Sequence, residues 1–193
     1  MRELGLEVLR VLYLFAPLIF ASALSGVVLR YDLLPRLRRP IDAGATWRGR
    51  RIFGDSKTWR GVVVAIFGCI VGAAVQRYLL GGRMQAVSLA DYANLDVGPF
   101  GLAMGAGAML GELPNSFVKR RLAIPPGKTT RGPLAVVFYL WDQLDLLTTA
   151  WPLLSPWVLV TPRLVATSVL LAATVHPTIS LIGYLIGART SAR

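Results

Sequence analysis

LYLFAPLIFASALSGVVL, residues 12–29, carries no charged side chain. It is long enough to cross the hydrocarbon core of a bilayer as a helix. A cleavable leader is the competing reading, with Ala21-Ser22-Ala23 resembling a cleavage site. The flanks favour a retained span. Ahead of it Glu3 and Glu7 offset Arg2 and Arg10, whereas nine Lys or Arg residues follow between Arg30 and Arg60. Cationic loops stay in the cytoplasm, so this pattern predicts an outer N-terminus and a cytoplasmic loop after residue 29.

The rest of the chain repeats the theme. Apolar runs at 61–80, 97–113, 133–150 and 164–187 alternate with short polar segments, and the basic ones fall on alternate sides. The sequence predicts an all-α integral membrane protein, a bundle of about five transmembrane helices with N-terminus out and C-terminus cytoplasmic, forming a single membrane-embedded catalytic domain over 1–193. Composition agrees. The 193 residues are 54% hydrophobic with 16% charged and a mean hydropathy of +0.56, against about 25% charged in a soluble domain. A net charge of +11 would suggest nucleic acid in a soluble chain. Here the cations flank apolar runs, which argues for orientation in the bilayer and for binding anionic head groups or nucleotide phosphates. The lone Cys69 lies in an apolar run and reads as packing. Glycine pairs at GxxxG spacing (68/72, 101/105, 107/111, 183/187) allow close helix approach within the bundle or in a homodimer.

Chemistry concentrates in GELPNSFVKRRLAIPPGKTTRGPLAVVFYLWDQLD, residues 111–145. Helical spacing puts Glu112, Ser116 and Lys119 or Arg120 on one face, and Asp142 with Asp145 on another. Two carboxylates one turn apart in a span repel unless a cation lies between them. Pro114 is expected to end or kink the third helix just after Glu112. Lys119, Arg120 and Arg121 divide between anchoring and ligand binding, and His176, before Pro177, between structural and catalytic roles.

A second polar stretch, RPIDAGATWRGRRIFGDSKTWRG at 39–61, brings Gly54, Asp55, Lys57 and Thr58 together before Arg60. It lacks the spacing and preceding strand of a Walker A loop. The chain has no GxSxG or HExxH signature. Carboxylates, cations and glycine turns in lipid suit metal-assisted phosphoryl or nucleotidyl transfer, which needs charge neutralisation more than a nucleophilic side chain. A small transporter or flippase using the same carboxylates as a relay is the alternative.

GRRIFGDSKTWRG, GELPNSFVKRR and DQLD, in that order, resemble the CDP-archaeol synthase family, relatives of the phosphatidate cytidylyltransferases. The similarity runs from about Pro40 to the end. It implies a five-helix membrane enzyme that uses CTP and Mg2+ to convert a lipid phosphate to a CDP-lipid, releasing pyrophosphate. It implies Asp142, Asp145 and Glu112 as metal ligands and catalytic groups with Lys119. Asp55, Lys57, Arg60, Ser116, Lys119 and Arg120 would bind substrate. Two positions depart from the pattern: Glu112 stands for the usual Asp, and Ser180 for an expected Asn.

Overall fold

The computed structural model describes residues 2–80, 83–125 and 132–185, with the side chains of 2, 133, 143 and 175–185 left aside. Lys128 and Arg131 lie outside these residues, as do the side chains of His176 and Ser180, on which two of the expectations rest.

Five α-helices make the body: α1 (Arg2–Arg30), α2 (Trp59–Val75), α3 (Val97–Arg121), α4 (Pro133–Leu154) and α5 (Pro162–Leu185). Among the described residues two stretches, Glu3–Arg30 and Trp59–Leu80, are long and apolar enough to cross a membrane. α1 starts ten residues ahead of the apolar run because its charged first turns find partners. Glu7, buried there, pairs with Arg163 at the start of α5. α2 widens into a π turn over Gln76–Leu80.

The TWRG tetrapeptide occurs twice and folds two ways. At Thr58 the side chain caps α2, accepting from Gly61 N at 3.2 Å, which satisfies one of the free amides that open a helix. At Thr46–Trp47 it forms β1, paired antiparallel with β2 (Arg50–Arg51) across a tight turn. Arg48 and Gly49 at that turn both have positive φ, the geometry of a short hairpin loop.

Pro114 neither ends nor replaces α3; the helix runs through it to Arg121. A proline removes one amide donor and crowds the preceding turn, and here the flanking turns hold on both sides. α3 is the central element, packed against α2 on one side and α4 on the other. The glycine pairs at 68/72, 101/105 and 107/111 are used inside the bundle, whereas Gly187 lies outside the described residues. A Cβ on Gly68 or Gly72 would strike Ala21 or Pro17 of α1, and one on Gly101 or Gly105 would strike Ile70 or Ile66 of α2. Their spacing therefore carries no argument for a homodimer. Cys69, fully buried between these contacts, is packing as expected.

Candidate active site

The site begins with a close helix crossing. A Cβ on Gly111 would lie 2.0 Å from the Asp145 carbonyl oxygen and 2.6 Å from Thr149 Oγ1. Only glycine lets the α3 and α4 backbones meet there. The approach sets the next turns of α3 against the two aspartates of α4. Asn115 Nδ2 donates to Asp142 Oδ1 at 2.5 Å and to Asp145 Oδ2 at 3.0 Å, one amide hydrogen for each carboxylate. Asp145 is buried and also accepts from Leu146 N at 2.7 Å. Asp142 is 42% exposed at its side chain and is ion-paired with Lys119.

Asn115 is the residue that sequence reasoning missed. It lies three positions after Glu112 and four before Lys119, so the same helical spacing could have found it. Lys119 and Arg120, treated alike in the sequence, part company here. Lys119 turns to Asp142, whereas Arg120 is buried and donates to the Ile124 carbonyl at the end of its own helix. Ser116 is buried one turn before it.

The loop between α1 and α2 supplies the other half. Its hub is Asp42, another residue the sequence reading did not single out. Asp42 Oδ1 accepts from Arg51 at 2.7 Å and from Gly44 N at 3.1 Å. Its Oδ2 accepts from Phe53 N at 3.0 Å and Gly54 N at 3.1 Å. Burial alone would raise this carboxyl's pKa, but the Arg51 and backbone hydrogen bonds prevail and hold it at about 2. The loop is thereby folded back so that Lys57 reaches across to Glu112 and pairs with it.

Of the other two expected loop residues, Arg60 lines a cavity with Lys57 and Glu112 but takes other partners, and Asp55 does not line it. The Asp55 side chain is 75% exposed and pairs with Arg51 at 2.6 Å, away from the α4 aspartates. Arg60 is buried, bonding Asp32 at 2.6 Å and the Leu33 carbonyl at 3.2 Å. It ties the end of α1 to the start of α2.

Two cavities meet at Glu112. One of about 510 Å³ has Lys57 and Glu112 at its polar end and Val28, Val64, Met109 and Leu113 among its apolar walls. The other, about 190 Å³, is lined by Glu112, Asp142 and Asp145 together with Phe15, Ile19 and Leu171. The three expected carboxylates thus share one cavity wall. They do not close into a cluster: among the described residues no three Asp, Glu, His or Cys side chains gather around a metal position. Lys57 and Lys119 neutralise two of them instead. The donor set nevertheless suits a hard cation. It is all oxygen, and Asn115 Oδ1 is buried beside the two aspartates with no hydrogen-bond donor. Mg2+ usually takes one or two carboxylates and completes its shell with water and phosphate oxygens, which Asp142 and Asp145 can provide for.

The sequence model of the CarS-like CDP-archaeol synthases matches residues 6–191. A CDP-archaeol synthase from Methanosarcina barkeri is 32% identical over 164 residues, covering 78% of this chain and 88% of the relative. One from Pyrococcus furiosus is 43% identical over 95 residues, about half of each protein (48% and 52%). A solved structure described as an intramembrane enzyme for archaeal membrane lipids biosynthesis superposes with a TM-score of 0.62 at 26% identity, covering 87% of this chain and 90% of that one.

A helical membrane fold with these relatives defines an enzyme of the CDP-lipid-forming class, a membrane lipid cytidylyltransferase. The chain belongs to the CDP-archaeol synthase family. The transporter alternative ends with that membership, because carboxylates in a span are equally at home in a catalytic site.

Proposed function

We propose that the chain transfers a cytidylyl group from CTP to a membrane lipid phosphate and releases pyrophosphate. The relatives' name favours an archaeal ether-lipid phosphate over phosphatidate as acceptor. The observation that carries this reading is that the Lys57–Glu112 pair and the Asn115-bridged aspartates, with Lys119 on Asp142, stand at cavities whose other walls are largely apolar. A lipid phosphate needs such a boundary, with charge at one end and hydrocarbon along the sides.

No strong base is required. A phosphate monoester has its second pKa at about 6, so the acceptor is largely dianionic at neutral pH. One of its oxygens forms a bond to the α-phosphorus of CTP as the bond from that phosphorus to the β-phosphate bridging oxygen breaks. The main obstacle is repulsion between anions. Mg2+ held by Asp142 and Asp145 would supply charge neutralisation at the phosphates. Lys57 and Lys119 are placed to exchange their carboxylate partners for phosphate oxygens and to hold the triphosphate and the departing pyrophosphate. Glu112, on the wall between the cavities, keeps Lys57 aimed at both, and with Lys57 on phosphate its carboxylate would be available to hold the metal. Arg60 joins the end of α1 to the start of α2 and Arg120 closes the segment after α3, so the proposal assigns the phosphates to the two lysines.

The deciding assay uses purified protein in detergent. Pyrophosphate should appear only when CTP, lipid phosphate and Mg2+ are all present, with ether-linked acceptor preferred. Release that ignores the lipid phosphate would overturn the reading.

The same proposal includes one catalytic unit of five spans with an outer N-terminus and cytoplasmic C-terminus, supported by the charge asymmetry of the loops. In a Cys69→Ser background, a cysteine at Ser56 should be labelled only from the cytoplasmic side and one at Ser88 only from outside. The opposite pattern would remove CTP access to Lys57 and sink the topology.

A further inference from the structure

Arg121 is the third consecutive cation at the end of α3, and anchoring accounts for its charge but not for its geometry. Its guanidinium donates to three backbone carbonyls of the hairpin: those of Trp47 and Arg51, and that of Arg50 at 3.0 Å. It packs beside two rings, 5.4 Å from the Trp47 centroid and 5.0 Å from that of Phe117. Those rings stack on each other at 5.5 Å. Arg50 returns a hydrogen bond to the Arg121 carbonyl. A planar fork of donors satisfies several carbonyls at once and stacks on aromatic faces, which an ammonium cannot reproduce.

The consequence reaches the site through the loop. Arg51, whose carbonyl Arg121 holds, bonds Asp42 at 2.7 Å and Asp55 at 2.6 Å. Asp42 in turn fixes Phe53 and Gly54, and Ile41 N donates to the Lys57 carbonyl at 2.9 Å. Lys57 is therefore the far end of a continuous hydrogen-bonded network that starts on α3, and its ammonium returns to α3 at Glu112.

We propose that Arg121 is a positioning residue: it clamps the hairpin at 46–51 onto the end of α3 so that Lys57 is presented to the site. Its kinetic consequence rests on the proposed reaction; its structural consequence does not. Arg121→Lys keeps the cytoplasmic charge that orients the protein but loses the fork. Hydrogen exchange over residues 46–58, measured without substrate, should rise about tenfold or more, while α2 and α3 keep their protection. Catalytic efficiency should fall roughly 10-fold, with the same division between kcat and KM that Lys57→Ala shows. In a Lys57→Ala background the further loss should be under about twofold, since residues acting through one network are not additive. Trp47→Ala, which loosens the hairpin and leaves α3 intact, should reproduce the exchange pattern. Unchanged exchange in both variants overturns the clamp. Losses that multiply with Lys57→Ala overturn its link to Lys57. A wild-type protein that turns over no CTP counts against the proposed reaction, and the exchange result still decides the clamp.

Discussion

Asp142→Asn and Asp145→Asn should each lower cytidylyl transfer by about 10²–10³-fold or more while leaving a folded, inserted protein, because each removes charge and keeps size. The two should differ in kind. Asp142 is half open to the cavity and paired with Lys119, so its loss frees that lysine and should weaken the response to added Mg2+. Asp145 is buried against α3 and accepts from Asn115 and Leu146 N on its two oxygens, so an amide there faces one of these donors with its own NH2 and should lower the melting point as well as remove a ligand. Initial rates across a Mg2+ titration, beside a helix-content and size-exclusion check, decide the matter. Normal turnover with normal Mg2+ dependence in both variants would show that the aspartates are structural and that the metal lies elsewhere.

Much of the bundle was legible because apolar length and loop charge are direct consequences of the solvent. Residues 61–80 fall within one helical stretch, and the aspartates of DQLD stand on α4 as their spacing requires. What the sequence concealed depends on contacts far apart in the chain. Pro114 reads as a stop or a kink, and α3 continues through it, since losing one amide bond is tolerable in a helix gripped by α2 and α4. The two TWRG copies are identical locally and are separated by surroundings: one follows the loop and caps α2, the other stacks on Phe117 as a strand.

The basic triplet shows the same limit at the site. Consecutive residues on a helix point about 100° apart, so Lys119, Arg120 and Arg121 reach Asp142, Ile124 and the hairpin respectively. Composition cannot divide them. Nor could it reveal that Lys57 and Lys119 would each take a carboxylate expected for metal, an arrangement that keeps the charges compensated within the fold. Glu112 reaches Lys57 from the cavity wall.

Asn115 offers the sharpest test of how that compensation works. Its amide nitrogen has two hydrogens and meets two carboxylates, at 2.5 and 3.0 Å, so it holds Asp142 and Asp145 together where bare charges would separate. Asn115→Leu keeps much of the volume and removes the bridge. Asp145 would then retain Leu146 N as its hydrogen-bond donor, and a buried polar group left short of partners costs about 1–3 kcal/mol. In a chain of this size that corresponds to a melting point lower by roughly 2–12 °C, together with loss of most activity. Asn115→Asp should behave differently. It brings a third carboxylate and no donor, so repulsion should destabilise it in chelator, and Mg2+ at millimolar concentration should restore a large part of the melting point. Thermal unfolding of both variants with and without Mg2+ separates the roles. A metal-dependent recovery in Asn115→Asp but not in Asn115→Leu places the cation beside this residue. If Asn115→Leu melts and turns over like the native protein, the bridge is incidental and the two aspartates are held apart by α4 alone.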